Sequence, residues 1–289
     1  MTADSIKHIP IIKVKEGDLF NTTDVLAIEE PLEIRLEHGP EGQRKVQNVS
    51  VTMRTPGNDD ELALGFLFTE GIVKRREDVA GVNHCFIACA ENKENVIQVS
   101  LNENVIPYLQ NTERNFYTTS SCGVCGKGSI NAIRTVSAFN LHKDNNNSIS
   151  SVLLYQLPEI LRQHQDIFDD TGGLHACALF NPSGQLFLVR EDVGRHNALD
   201  KLIGAALSSD YLPLNKSILL LSGRASFELV QKAAMAGINI IASVGAPSSL
   251  AVELAEEFNI TLTGFLRGRR FNIYTAAHRI LIPIHENTY

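Results

Sequence analysis

Ile218-Leu219-Leu220-Leu221-Ser222-Gly223-Arg224-Ala225-Ser226 decides the fold class. Four apolar residues without polar alternation, ended by a Ser-Gly turn, read as a short strand covered on both faces. The chain behind the turn, from about Ala225 to Met235, has the apolar spacing of a helix. The same grammar repeats outward. Leu186 to Val189 precedes a helix from about Asn197, Asn239 to Ser243 precedes one from Ser249 to Glu257, and Ile260 to Leu262 closes the series. Strands alternating with helices of this length predict an α/β sheet layered with helices, with a ligand crevice at the loops beyond the strand ends.

Upstream the grammar differs. Leu32 to Glu37 and Val46 to Met53 alternate apolar and polar residues, as half-buried strands do. Asn58-Asp59-Asp60 offers an N-cap for a helix over Glu61 to Phe68, stopped by Gly71. Val82 to Ala88 and Val96 to Leu101 read as a second strand pair. The expected organisation is an N-terminal α+β domain over 1–115 and a larger domain over 116–289, so α/β within an α+β whole.

Composition narrows the function. With 44% hydrophobic and 20% charged residues the chain should fold as a globular protein. A net charge of −7 argues against a nucleic-acid-coating surface, so a polyanionic ligand has to be met by a local basic cluster. No apolar run is long enough to span a bilayer, and Met1 to Pro10 lacks a signal-peptide core, so a cytoplasmic protein is expected. Five cysteines, an odd number, point away from a disulfide framework and towards thiol chemistry, metal binding or packing.

Ser121-Cys122-Gly123-Val124-Cys125-Gly126-Lys127-Gly128 leads into an apolar-periodic helix from Ile130 to Phe139. A thiol in the turn before a helix N-terminus, beside a lysine, is held where thiolate is favoured. The glycines would let the thiols swing between a donor and an acceptor. A structural metal knuckle is the competing reading of a lone C-x-x-C. Cys85 and Cys89, four apart in an expected strand, and Cys177, in an apolar stretch, read as packing residues. His175 reads as a core histidine.

This cysteine string resembles the motif of the formate dehydrogenase accessory sulfurtransferases, the FdhD family. Four further segments resemble that family in order: Gly172 to Cys177, Glu191 to Lys201, Ser222 to Ser226 and Gly264 to Tyr274. The resemblance implies a fold similar to cytidine deaminases, a mixed sheet layered with helices, usually as a homodimer. It implies that a cysteine desulfurase hands persulfide sulfur to Cys122, with Cys125 as partner. The sulfur then goes to a molybdenum bis(guanine dinucleotide) cofactor destined for formate dehydrogenase. The family's cofactor loop falls on Phe265, Leu266, Arg267, Gly268, Arg269 and Arg270.

The residues support an anion site on their own chemistry. Ser222-Gly223-Arg224 opens a helix after a buried strand, where backbone N–H groups and a guanidinium can meet a phosphate. Arg267, Arg269 and Arg270 crowd positive charge beside Gly268 in an acidic chain, which favours an answering anion. Arg195 and His196, at a strand-to-helix turn, join the candidates; in the plain alternative Arg195 simply pairs and Asn197 or Asp192 caps the helix. No bound metal is expected, and these arginines should face one crevice. Two rivals stand beside this reading. A zinc deaminase would need a glutamate two residues after its histidine, where Cys177 stands, and the cysteines come before the histidine rather than after it. A cofactor chaperone without sulfur chemistry would need the arginines and not the thiols.

Overall fold

The computed structural model describes residues 5–85, 94–109 and 147–283. The boundary expected at 115/116, Cys89, the Cys122–Cys125 loop and the helix expected over Ile130 to Phe139 lie outside the described residues.

The chain opens with a hairpin of β1 (Ile6–Lys15) and β2 (Asp18–Ala27). A four-stranded sheet follows, ordered β4-β3-β6-β5, from β3 (Glu30–His38), β4 (Lys45–Arg54), β5 (Val79–His84) and β6 (Val96–Leu101). Its buried face is the expected alternation: Leu32, Ile34 and Leu36 of β3 and Ile97, Val99 and Leu101 of β6 point inward. Helix α1 (Asp59–Thr69) packs beneath it. Asn58 does occupy the cap position of α1, but in a left-handed backbone with no side-chain cap bond. Asp59 is unavailable as a cap as well, because Arg54 holds it in a buried two-point pair at 3.0 and 2.9 Å.

The second sheet is the predicted one, enlarged to six strands in the order β13-β12-β11-β10-β8-β9. It contains β8 (His175–Phe180), β9 (Leu186–Asp192), β10 (Ile218–Leu221), β11 (Ile240–Ser243), β12 (Thr261–Arg267) and β13 (Arg270–Thr275). Only β10, β11 and β12 run parallel; β8, β9 and β13 pair antiparallel, so the sheet is mixed. A short pair, β7 (Ile149–Ser150) with β14 (Ile280–Leu281), lies apart.

The unbroken apolar run of β10 has the predicted cause. Leu219 and Leu221 point into a core shared with α4 (Arg195–Ser208), α5 (Phe227–Met235) and α6 (Ser249–Glu257). Ile218 and Leu220 point to the opposite face, covered by Leu154, Leu157 and Leu161 of α2 (Ser151–Arg162). Each such side chain contributes about 1.5–3 kcal/mol on burial. The first core also takes in β3, β6 and α1, so apolar packing is continuous from the four-stranded sheet through α1 and α4 to the six-stranded one. Helices α1 and α4 cross backbone against backbone at Gly65 and Gly204, where a Cβ on either would overlap a carbonyl of the other helix.

Among the described residues no helix is long and apolar enough to cross a membrane.

Candidate functional site

The C-terminal ends of β10, β11 and β12 deliver three loops to one place. Gly245 N–H donates to Gly223 O at 2.9 Å, Phe265 N–H to Gly245 O at 3.0 Å, and Ala225 N–H to Ala246 O at 3.2 Å. The approach is close enough to require glycine: a Cβ on Gly245 would stand 2.9 Å from the Arg224 backbone nitrogen and from Gly223 O. Arg224 lies across this junction, and Arg267 Nε donates to Val244 O at 3.3 Å.

The arginine string that closes the expected series is a β-hairpin tip. Arg267 pairs with Arg270 across it, and Gly268 turns it with φ 57°. Phe265 sits at the bulge before the tip, exposed and with a left-handed φ of 55°, a conformation that costs a non-glycine residue energy. Leu266 points the other way and is fully buried in the core on the α2 face, so only its backbone can meet a ligand. Arg224, Arg267, Arg269 and Arg270 are all exposed, and among the described residues none has a carboxylate within 4.0 Å.

Beside these loops is a cleft of about 630 Å³. One wall is Leu161 and Arg162 of α2 with Phe168 of α3 (Asp166–Thr171), where the Arg162 guanidinium stacks 4.4 Å over the Phe168 ring. The other is His175, Ser222, Gly223 and Val244. The five candidate arginines stand outside this lining; Arg267 touches it through the Val244 carbonyl. His175 is a correction. It is half-buried rather than a core residue, because it heads β8, two residues after Gly173, and lines the cleft.

The Glu191 to Lys201 segment divides into two tasks. Asp192 is fully buried and gathers Lys201 Nζ at 2.7 Å, the Gly194 N–H at 2.8 Å, the Asn197 amide at 3.1 Å and the Thr55 N–H at 3.2 Å. Burial pushes its carboxyl up, and Lys201 opposes that. Lys201 also donates to Thr55 O at 2.8 Å, and Asn197 to Met53 O at 2.7 Å. These residues fasten the Arg54-Thr55-Pro56-Gly57 loop to α4. A second buried cluster does the same further along: Lys232 meets both oxygens of Asp200, at 2.9 and 2.8 Å, and Thr69 donates to that carboxylate at 2.9 Å.

Arg195 and His196, on the first turn of α4, face the loops instead. His196 Nε2 is 3.3 Å from Ser226 Oγ and 3.5 Å from Glu228. The hydrogen bond from His196 holds the Glu228 carboxyl down at about 2. Arg195 Nε is buried without an acceptor among the described residues. The structure thus brings Gly223, Arg224, His196 and Arg267 to one loop cluster, with Arg195 on the same helix turn as His196 and with Arg269 and Arg270 at the adjoining tip.

Cys177 is buried, and burial pushes its thiol far up, leaving it protonated. Cys85 is half-buried, with Sγ 3.7 Å from Gln98 Oε1.

A mixed sheet layered with helices, with an arginine-edged loop cluster at its strand ends, defines the class of protein. The comparisons give that class its family. The FdhD/NarQ family model matches residues 27–281, and the chain belongs to that family. It is 52% identical over 267 residues to the sulfur carrier protein FdhD of Mycolicibacterium paratuberculosis, covering 91% of this chain and 94% of that one. It is 48% identical over 274 residues to the Streptomyces avermitilis protein of the same name, with 94% of each covered. The fold is similar to a crystal structure described as a formate dehydrogenase accessory protein from Desulfotalea psychrophila. The TM-score is 0.71 at 25% identity, over 96% of this chain and 99% of that one.

Proposed function

We propose that this chain is a sulfur carrier in the service of formate dehydrogenase, and that it relays sulfur from a cysteine desulfurase to a molybdenum bis(guanine dinucleotide) cofactor. The Cys122 thiolate attacks the donor's persulfide and takes its outer sulfur, and the donor cysteine leaves as thiolate. Cys125 stands as the partner thiol. The cofactor is the substrate, held by Gly223, Arg224, Arg195, His196 and the 265–270 hairpin. The protein acts in the cytoplasm as a homodimer.

One observation carries the cofactor reading: four exposed guanidiniums without carboxylate partners among the described residues gather at glycine-tight loops beyond the ends of parallel strands. Such loops are where α/β sheets place ligands, and a phosphate is the group that answers this charge. Membership of a family whose relatives are named sulfur carriers supports the sulfur chemistry.

Two measurements test it. Intact-mass analysis after incubation with a cysteine desulfurase and cysteine should show added sulfur on the wild type and none on Cys122→Ala, which should also fail to activate formate dehydrogenase. Calorimetric titration of GDP should show a loss of roughly tenfold or more in Arg267→Ala/Arg269→Ala, since each charge-assisted bond is worth about 1.5–3 kcal/mol. A full adduct on Cys122→Ala, or unchanged GDP affinity in the folded double variant, refutes the corresponding half.

A further inference from the structure

His175 is set apart from the other described histidines of this region. His164 Nδ1 lies 2.8 Å from Ile160 O, and His196 is engaged by Ser226 and Glu228. Neither ring nitrogen of His175 has a hydrogen-bond partner among the described residues, although the ring is half-buried in the cleft wall. Gly223 keeps its Nδ1 side open. A Cβ at that position would stand 3.3 Å from Nδ1 and 3.5 Å from Cε1. Three residues beyond Asp192, the strand partner of His175, Arg195 Nε is buried with no acceptor among the described residues. The cleft wall and the first turn of α4 thus each carry a polar group that the described protein atoms leave unpaired.

We infer that His175 is a ligand-binding residue of the cleft: it holds a phosphate oxygen of the anionic ligand through a ring nitrogen, next to Arg195, and takes up a proton from solvent as it does so. This rests on the reading that the loop cluster receives a phosphate-bearing ligand.

The proton count follows from the neighbours. From the first turn of α4, the charges of Arg195 and His196 act on the imidazole, and Asp192 is its register partner across β8 and β9. Across the cleft, Glu159 and Arg162 of α2 line the far wall, and Arg162 is tied to Asp169 at 2.7 Å. Arg224 and Arg267 edge the loops on the remaining side. Desolvation, then repulsion from Arg195 and His196, lowers the imidazole below its usual 6.5, and Asp192 opposes this only in part. In the free protein the ring is therefore neutral near pH 7. A bound phosphate cancels the charge of Arg195 and adds an anion against the ring, both of which favour imidazolium. Between the free and bound titration points the affinity should fall as pH rises, by up to about tenfold per pH unit.

The test is calorimetric titration of inorganic pyrophosphate into the full chain near pH 7, in two buffers of different ionisation enthalpy. The difference in observed heat gives the net protons taken up, which include those the pyrophosphate itself gains or loses. The wild type is expected to exceed the His175 variants in uptake by a fraction of a proton approaching one, the ligand's own share being common to both. His175→Gln and His175→Asn carry an amide in place of each ring nitrogen in turn. They should bind pyrophosphate roughly tenfold more weakly, in a chain whose circular dichroism is unchanged. Binding with the same net proton count in the wild type and in both variants overturns the inference and leaves the anion site standing. Uptake that survives both His175 variants and disappears in His196→Gln overturns it as well. No pyrophosphate binding in the wild type overturns the anion-site reading and this inference together.

Discussion

Lys201→Met should cost about 3–5 kcal/mol of folding stability, because it strands a buried carboxylate. Lys201 and Asp192 are 2% and 0% exposed with Nζ 2.7 Å from Oδ2. At that separation and an effective dielectric constant of about 20, the attraction is on the order of 6 kcal/mol. The Gly194, Asn197 and Thr55 donors remain on Asp192 after the substitution and limit the loss. Methionine fills the lysine's volume, so a cavity adds little. The pH dependence separates this cause from general damage. Asp192 titrates above its ordinary value in the folded state because of burial, with Lys201 holding it down. A carboxyl with a raised folded pKa binds more protons folded than unfolded, so stability falls as pH rises through that window. Removing Lys201 lifts the upper edge of the window. The deficit of Lys201→Met relative to wild type should therefore shrink on acidification from pH 7 towards pH 5, by up to about 1.4 kcal/mol per pH unit within the window. Urea denaturation at the two pH values measures it, and Asp192→Asn/Lys201→Met should regain part of the loss at pH 7. A loss below about 1 kcal/mol, or a deficit independent of pH with no recovery in the double variant, would refute the reasoning.

Gly204→Ala places a methyl group against the Glu61 carbonyl at the α1–α4 crossing. Because backbone cannot yield as a side chain does, the cost should reach or exceed the 1–3 kcal/mol of ordinary overpacking, read as a fall in thermal midpoint. Cys177 should resist thiol-labelling reagents in the native chain and react only on unfolding, since burial holds its thiol protonated. Cys177→Ala should cost on the order of 1 kcal/mol without reducing the persulfide adduct, and rapid native labelling at Cys177 would contradict its buried place.

Ile218 to Leu221, Ser249 to Glu257 and Val96 to Leu101 were legible from sequence alone, because strand and helix period and two-sided burial are local patterns. The alternation of strand and helix from Leu186 to Leu262, the strand-end position of Gly223 and Arg224, and the buried place of Cys177 were legible for the same reason. The N-terminal alternation in β3 also predicted its buried face. Tertiary structure alone decided which polar groups go inside and what they answer. Asp192 meets Thr55 across 137 positions and Lys232 meets Asp200 across 32, and no local period encodes such partners. It turned the arginine string into a hairpin tip by adding β13, which buried Leu266 and left Phe265 and the guanidiniums outside. It also opened His175 to a cleft, because that cleft is walled by α2 and α3 from one part of the chain and by Gly223 and Val244 from another. Period reports how a residue sits on its own strand or helix. The neighbour across a wall is set by packing among elements far apart in the chain, and there the charge and hydrogen bonding of the site are settled.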